Sequence, residues 1–189
     1  MLCLIPARAG SQRIPNKNIR SFHGKPIIAY SIELALDSGL FDKVVVSTDS
    51  DEIGAVALAY GAEYHDRPVS YSKNDVGTQA VAVEYLSTLP TIPLVTCVLY
   101  ATCPLLQSVY LAAGLNQFIN STGVDYVYAV GEDGWQDVGQ FYWGLTTSFL
   151  IGISITDERS GKIVLPDVVD INTMDDWQQA EQLYEERMK

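Results

Sequence analysis

The sequence predicts an α/β protein built as one domain over residues 1–189 around a mostly parallel sheet. Short apolar runs alternate with amphipathic helical stretches from Leu2 to Val130, joined by short connections. That alternation is the pattern of right-handed β-α-β units. Leu2 to Pro6, Val44-Val45-Val46 and Leu94 to Tyr100 are strand-like runs that read as strands buried on both faces of a sheet. With 189 residues, 48% of them hydrophobic, the chain can bury one substantial core. The expected architecture is a single three-layer, Rossmann-like domain.

The first strand is Leu2 to Pro6, followed by a long polar loop. A helix begins near Pro26, a residue suited to the first helical position, with Ile28, Ile32, Ala35 and Leu36 on one face and Gly39 as its stop. Lys43 to Ser47 is the second strand, and Asp49-Ser50-Asp51-Glu52 has the spacing of a capping box for a helix that closes at Gly61. Ala62 to Tyr64 reads as a short strand before the polar stretch His65-Asp66-Arg67-Pro68. Gly77 to Leu86 is helical, with Thr78 near its start. The strand Leu94 to Tyr100 leads into Ala101-Thr102-Cys103-Pro104. A helix over Ser108 to Asn120 shows Leu111, Leu115, Phe118 and Ile119 on one face, and Asp125 to Val130 is a further strand.

Past Val130 the rhythm is lost. Gly131-Glu132-Asp133-Gly134 is a turn and Phe141-Tyr142-Trp143 a strand, while Ile151 to Leu165 holds at most short strands. Val168 to Ile171 is strand-like. Thr173 caps a final helix with Asp175 and Asp176 in its first turn, carrying Trp177, Ala180, Leu183 and Tyr184.

Charge separates the ends of the chain. The net charge is −11, yet the first 32 residues contain no Asp or Glu and hold Arg8, Arg13, Lys17, Arg20 and Lys25, five of the 12 basic residues. A local positive field on an acidic body fits a small polyanion and excludes a nucleic-acid backbone gripped along one face. The basic loop follows the first strand, where an open α/β sheet places its ligand. It is neither a Walker A motif nor a GxGxxG fingerprint. It offers backbone N–H groups around Gly10 and Ser11 and the cations Arg8, Arg13 and Lys17. Arg grips phosphate oxygens with two donors, and Lys supplies a point charge. A triphosphate is the expected ligand; the competing reading is a solvated basic loop.

Cys3, Cys97 and Cys103 form no CxxC pair, which argues for reduced thiols and against a disulfide frame or zinc site. The start of the chain lacks a charged leader and long apolar stretch, and Ile92 to Leu106 is interrupted by Pro93, Thr96, Thr102 and Pro104. The expectation is a soluble, cytoplasmic protein without a membrane partner. His23 and His65 lack metal spacing, and Cys103 has no neighbouring base in sequence, so covalent catalysis is not expected.

Ile5-Pro6-Ala7-Arg8-Ala9-Gly10-Ser11-Gln12-Arg13-Ile14-Pro15-Asn16-Lys17-Asn18 resembles the signature of the cytidylyltransferases that activate acidic nine-carbon and eight-carbon sugars. Gly24-Lys25-Pro26, Ser47-Thr48-Asp49, Arg67-Pro68, Thr102-Cys103-Pro104, Gln140-Phe141-Tyr142-Trp143-Gly144 and Asp170-Ile171-Asn172-Thr173 match in the same order. Tyr100-Ala101-Thr102 and Gly139 to Gly144 resemble the pseudaminic acid branch most. The resemblance implies the nucleotide-diphospho-sugar transferase fold and cytidylyl transfer from CTP to a sialic-acid-like nine-carbon sugar acid, giving a CMP-sugar and pyrophosphate. It implies that Arg8, Ser11, Arg13, Lys17 and Asn18 surround the triphosphate, with Thr78 also on the CTP side. The Ala7 backbone and Arg67 would read the cytosine, and Tyr100, Thr102 and Gln140 would face the sugar. Mg²⁺ would be held by Asp170 together with Asn172, with Arg8, Lys17 and Asp170 carrying catalysis. No side chain stands out as general base.

The sequence departs from that pattern in places. Asn172 replaces the second carboxylate of an Asp-Ile-Asp motif, Gln12 stands where a basic residue is usual, and Asn74 where an aspartate is usual. Between Val130 and Gly139 only Gly131 to Val138 remains of a longer excursion that serves the sugar pocket and the dimer contact. Homodimer formation is therefore left open. Two rival readings stand beside the main one: a nucleotide-binding remnant without turnover, and an eight-carbon sugar cytidylyltransferase.

Overall fold

Every side chain from Leu2 to Ile5 is buried, and they open the first strand of a computed structural model that describes residues 1–189. In chain order the elements are β1 (Leu2–Pro6), a small hairpin of β2 (Ser21–Phe22) and β3 (Lys25–Pro26), α1 (Ile27–Asp37), β4 (Lys43–Thr48), α2 (Asp51–Ala59) and β5 (Glu63–Asp66). They continue with α3 (Thr78–Ser87), β6 (Val95–Leu99), α4 (Ser108–Asn120), β7 (Tyr126–Val130), β8 (Asp137–Leu145), α5 (Thr146–Leu150), β9 (Gly161–Val164) and α6 (Met174–Arg187).

Seven strands form one sheet in the order β5-β4-β1-β6-β8-β7-β9. All neighbouring pairs are parallel except the two that β8 makes with β6 and β7. The expected mostly parallel α/β sheet is thus present, with one antiparallel strand inserted. The chain runs outward from β1 through β4 to β5 and then returns to β6 on the other side of β1. This reversal splits the loops after β1 and β6 and opens a crevice at their carboxyl ends.

Strand alternation sorts the core into two layers. Cys3, Ile5, Val44, Val46, Cys97, Leu99, Phe141 and Trp143 face α1, α2 and α4. Leu2, Leu4, Val45, Val98, Tyr126, Tyr128 and Tyr142 share the other layer with Ala82, Tyr85 and Leu86 of α3 and Phe149 of α5. A third cluster joins Ile14 of the basic loop, Phe22 of β2 and Trp177 of α6; the Phe22 and Trp177 rings meet edge to face at 5.5 Å. Thr173 caps α6 in a reciprocal box with Asp176, as the sequence predicts.

Several expectations need correction. Pro26 is the residue before α1 rather than its first helical position. Leu36 and Ile119, placed on buried faces by their spacing, are 41% and 63% exposed. The cap of α2 is Ser50, whose Oγ accepts from the Ile53 N–H at 3.3 Å; Asp49 is used elsewhere. β5 extends to Asp66, beyond the expected end at Tyr64. β8 is nine residues long, not three: β6 and β7 pair with its second half, β7 also pairs with Asp137 at its start, and the register shifts in between. Val168 to Ile171 is no strand: Val169 and Ile171 are buried in the cluster around Trp177, with no ladder beside them. Within Ile151 to Leu165 the one strand is β9, parallel to β7. No helix is long and apolar enough to cross a membrane.

Two outcomes follow from the packing. A Cβ at Gly144 would overlap the buried Tyr126 ring, so Gly144→Ala should lower unfolding free energy by about 1–3 kcal/mol in denaturant titration. Cys3, Cys97 and Cys103 are all buried and reduced, so a thiol reagent should label none in the native protein and three after unfolding.

Candidate functional site

The loop after β1 is held by its own polar groups. Ala7 is buried and extends the β1 ladder, its N–H donating to the Ser47 carbonyl at 2.9 Å, so its carbonyl is the group it can offer a ligand. The Ala9 N–H donates to Asp49 Oδ1 at 2.9 Å. Asn18 is buried and its Nδ2 donates to the Arg8 carbonyl at 2.9 Å, which closes the loop. Asn16 sits at φ +54°, a conformation asparagine tolerates better than most residues. Its carbonyl accepts from Ile19 and Arg20, and the short 3₁₀ turn Lys17–Ile19 follows.

The loop lines a cleft of about 410 Å³ with Arg8, Ser11, Gln12, Arg13, Lys17 and Asn18 on one wall. Pro6 at the end of β1 and Tyr100, Ala101 and Thr102 after β6, with Asn74 and Asn172, make the rest. The lining holds three cationic side chains and no carboxylate. Each cation rests on a neutral oxygen: Arg8 Nη1 donates to Asn74 Oδ1 at 2.6 Å, Arg13 Nη2 to Asn172 Oδ1 at 2.8 Å, and Lys17 Nζ to the Ile171 carbonyl at 2.7 Å. Burial, reinforced by nearby Arg13, lowers the Lys17 pKa from the usual lysine value, while Asp170 opposes the shift.

A second hollow of about 250 Å³ adjoins the first and shares Pro6, Arg8, Asn74 and Tyr100. Arg67, Tyr71, Lys73, Val76, Thr78 and Val81 complete it. Arg67 is 3% exposed; its Nε donates to Ser72 Oγ at 3.0 Å, and its Nη2 has no hydrogen-bond partner. Asp49 Oδ1 lies 3.8 Å from that Nη2. Burial lowers the Arg67 pKa from its ordinary value, with Asp49 and Glu84 acting in the opposite sense. A buried donor without a partner carries a desolvation cost that a ligand acceptor would remove.

Asp170 lies behind Asn172. Its Oδ2 accepts from Asn172 Nδ2 at 2.6 Å, and its Oδ1 faces the place where Gly139, at φ +57°, lacks a side chain. Burial raises its pKa above the usual carboxylate value, against the pull of Asn172 and Lys17. No group of three or more His, Cys, Asp and Glu side chains converges anywhere in the chain. One carboxylate with an open oxygen suits Mg²⁺, which takes one or two carboxylates and fills its shell with phosphate oxygens and water. Asn172 offers less: its oxygen is engaged by Arg13.

The sequence-predicted residues thus fall into groups. Arg8, Ser11, Arg13, Lys17, Asn18, Tyr100, Thr102 and Asn172 line the first cleft, and Arg8, Arg67, Thr78 and Tyr100 the second. Gln140 is 1% exposed and lines neither; its Nε2 donates to the Val138 carbonyl at 2.9 Å. Sequence reasoning missed Tyr71, Lys73 and Asp49 as site residues, and also Tyr142 and Asp137. Tyr100 and Tyr142 are joined hydroxyl to hydroxyl at 2.8 Å, and Tyr142 donates to Asp137 Oδ2 at 2.7 Å. Thr78 Oγ1 lies 3.4 Å from the Tyr100 hydroxyl.

The cytidylyltransferase family model matches residues 2–135. Pseudaminic acid cytidylyltransferase of Campylobacter jejuni subsp. jejuni serotype O:23/36 is 38% identical, the alignment covering 97% of this chain and 95% of the relative. Among solved structures, CMP:2-keto-3-deoxy-manno-octonic acid synthetase complexed with CTP superimposes with a TM-score of 0.78 at 15% identity, covering 98% of both chains. Rv0371c of Mycobacterium tuberculosis H37Rv, solved with manganese, gives a TM-score of 0.66 at 13% identity over 96% of this chain and 98% of that one. These structural likenesses speak for the fold. Family model and relative speak for descent: the chain belongs to the cytidylyltransferase family.

Proposed function

We propose that this protein transfers a cytidylyl group from CTP to a sialic-acid-like nonulosonic acid, of the pseudaminic acid type, releasing pyrophosphate. The observation that carries this reading is the cleft lined by Arg8, Arg13 and Lys17 without a carboxylate, on a chain of net charge −11. The Campylobacter relative supplies the acceptor class. The chain acts as one domain, shortened between 130 and 139, and works in the cytoplasm.

In this reading Arg8, Arg13 and Lys17 exchange their neutral oxygen partners for triphosphate oxygens, with Ser11 and Asn18 closing the loop around them. Each cation then meets an anionic oxygen in place of a neutral one and adds a coulombic attraction inside a partly buried cleft, so the exchange favours the nucleotide. Arg67, with its unpartnered Nη2, Thr78 and the Ala7 carbonyl receive the nucleoside side. Tyr100 and Thr102 hold the sugar where its anomeric hydroxyl can approach the α-phosphorus in line with the departing pyrophosphate. Positioning and charge neutralisation supply most of such a rate enhancement, and no covalent enzyme intermediate is needed. Cys103 fits that account, since burial drives its thiol pKa far up. Asp170 would hold a divalent ion, Mg²⁺ in this reading, whose contribution is to neutralise charge on the phosphates.

A nucleotide-binding protein without turnover is the second reading. It is favoured by the alignment with the Campylobacter relative, which spans 222 positions against 189 residues in this chain and so leaves part of the relative unmatched. Pyrophosphate release from CTP with magnesium decides between them across a panel containing pseudaminic, N-acetylneuraminic and 3-deoxy-octulosonic acids. Release with pseudaminic acid is expected; CTP binding with no release from any acceptor would leave only the second reading. Lys17→Ala should weaken CTP binding about ten- to a hundredfold in calorimetry, the loss of one hydrogen bond to a charged group. Unchanged affinity would remove Lys17 from the phosphate site.

A further inference from the structure

Asn172 is placed between two charged groups that fix which way its amide points. Arg13 Nη2 can only donate, and it meets Oδ1 at 2.8 Å. Asp170 Oδ2 accepts from Nδ2 at 2.6 Å, and Nδ2 also lies 3.5 Å from the Asp170 carbonyl. The Asn172 backbone N–H donates to Asp176 Oδ2 at 2.9 Å. Oxygen and nitrogen cannot be exchanged without setting a donor against Arg13 and an oxygen against Asp170.

A carboxylate in this position would put one oxygen about 2.6 Å from Asp170 Oδ2. Two anionic oxygens at that separation need a proton or a cation between them. The amide needs neither. It also spares the cleft of Arg8, Arg13 and Lys17 a further negative charge beside Asp170 and Asp176, a charge that would repel a triphosphate.

We infer that Asn172 is a positioning residue that uncouples nucleotide binding from the divalent cation: its amide bridges Asp170 to Arg13, so the cleft accepts CTP without metal. The inference rests on the CTP reading of the cleft. The metal keeps its place at Asp170 for the transfer step, but it is not required to assemble the nucleotide site. Asp170 and Arg13 are already oriented by the same side chain before any ligand arrives.

Calorimetry of CTP binding to the full chain, in EDTA and in magnesium chloride, tests this for the native protein and Asn172→Asp. The native protein should bind CTP with affinities that differ less than about threefold between the two conditions. Asn172→Asp adds one negative charge beside the triphosphate and should weaken binding in EDTA about tenfold or more, with recovery in magnesium. Nucleotide-free Asn172→Asp should also bind Mn²⁺, followed by electron paramagnetic resonance, more tightly than the native protein by about tenfold. Magnesium-dependent CTP binding by the native protein overturns the inference and leaves the CTP reading standing. So does an Asn172→Asp variant that behaves as the native protein does in EDTA and with Mn²⁺. CTP bound in neither condition overturns both. Should Asn172→Asp not fold, the comparison of the native protein in EDTA and magnesium decides alone.

Discussion

Strand β1 lies between β4 and β6 with both faces buried, and the position of each charge in the cleft follows from where that strand stops. Its ladder runs on through the Ala7 N–H to Ser47, so Arg8 is the first residue released from the sheet. From there the chain is returned by Asn18, whose amide holds the Arg8 carbonyl, and by Asn16 in the left-handed region. The loop therefore begins and ends at the same point of the sheet edge. Arg13 and Lys17 project from a closed ring of backbone, not from a free segment. Their ligand-free partners, Asn172 and the Ile171 carbonyl, belong to the far end of the chain. Three groups of side chains distant in sequence are thus gathered at one crevice by the reversal of strand order.

The parts of this arrangement that were legible in the sequence are those determined locally. Apolar runs with turns between them mark β1, β4, β6 and β7, because burial on both faces keeps most of their positions apolar. The basic loop was legible from the absence of acids around it. What depended on distant partners was not. β8 looks like three residues because its first half is Asp137, Val138, Gly139 and Gln140, which join the sheet through Asp137 opposite Val130 and the Gln140 carbonyl accepting from the Tyr100 N–H. Val168 to Ile171 fails in the opposite way: alternating burial is the same for an extended segment with a ladder as for one without. Leu36 and Ile119 have helical spacing for burial but lie at the border of the covered stripe, where they are only partly covered. Gln140 has the residue type for a substrate contact, yet its amide is spent on Val138.

Two polar groups show how the site holds charge in a partly dry setting. Arg67 is buried with one nitrogen lacking a partner, a cost that persists only because the surrounding residues fix it there. Asp170 is raised by burial and steadied by Asn172 and Lys17. In both cases the fold itself holds a charged group where burial disfavours its charge. This is preorganisation: the reordering that ligand binding would otherwise require is already present in the folded chain.

The tyrosine chain has a direction. Asp137 accepts the proton of Tyr142, so the hydrogen bond between the two tyrosine hydroxyls must be donated by Tyr100. The Tyr100 hydroxyl then has no proton left for the cleft and presents only lone pairs. A group that settles against it has to bring its own hydrogen, as a hydroxyl or an amide N–H does and an ionised carboxylate or phosphate does not. The wall between the two hollows is therefore a filter of hydrogen-bond polarity, and its sense is written by an aspartate in the next strand.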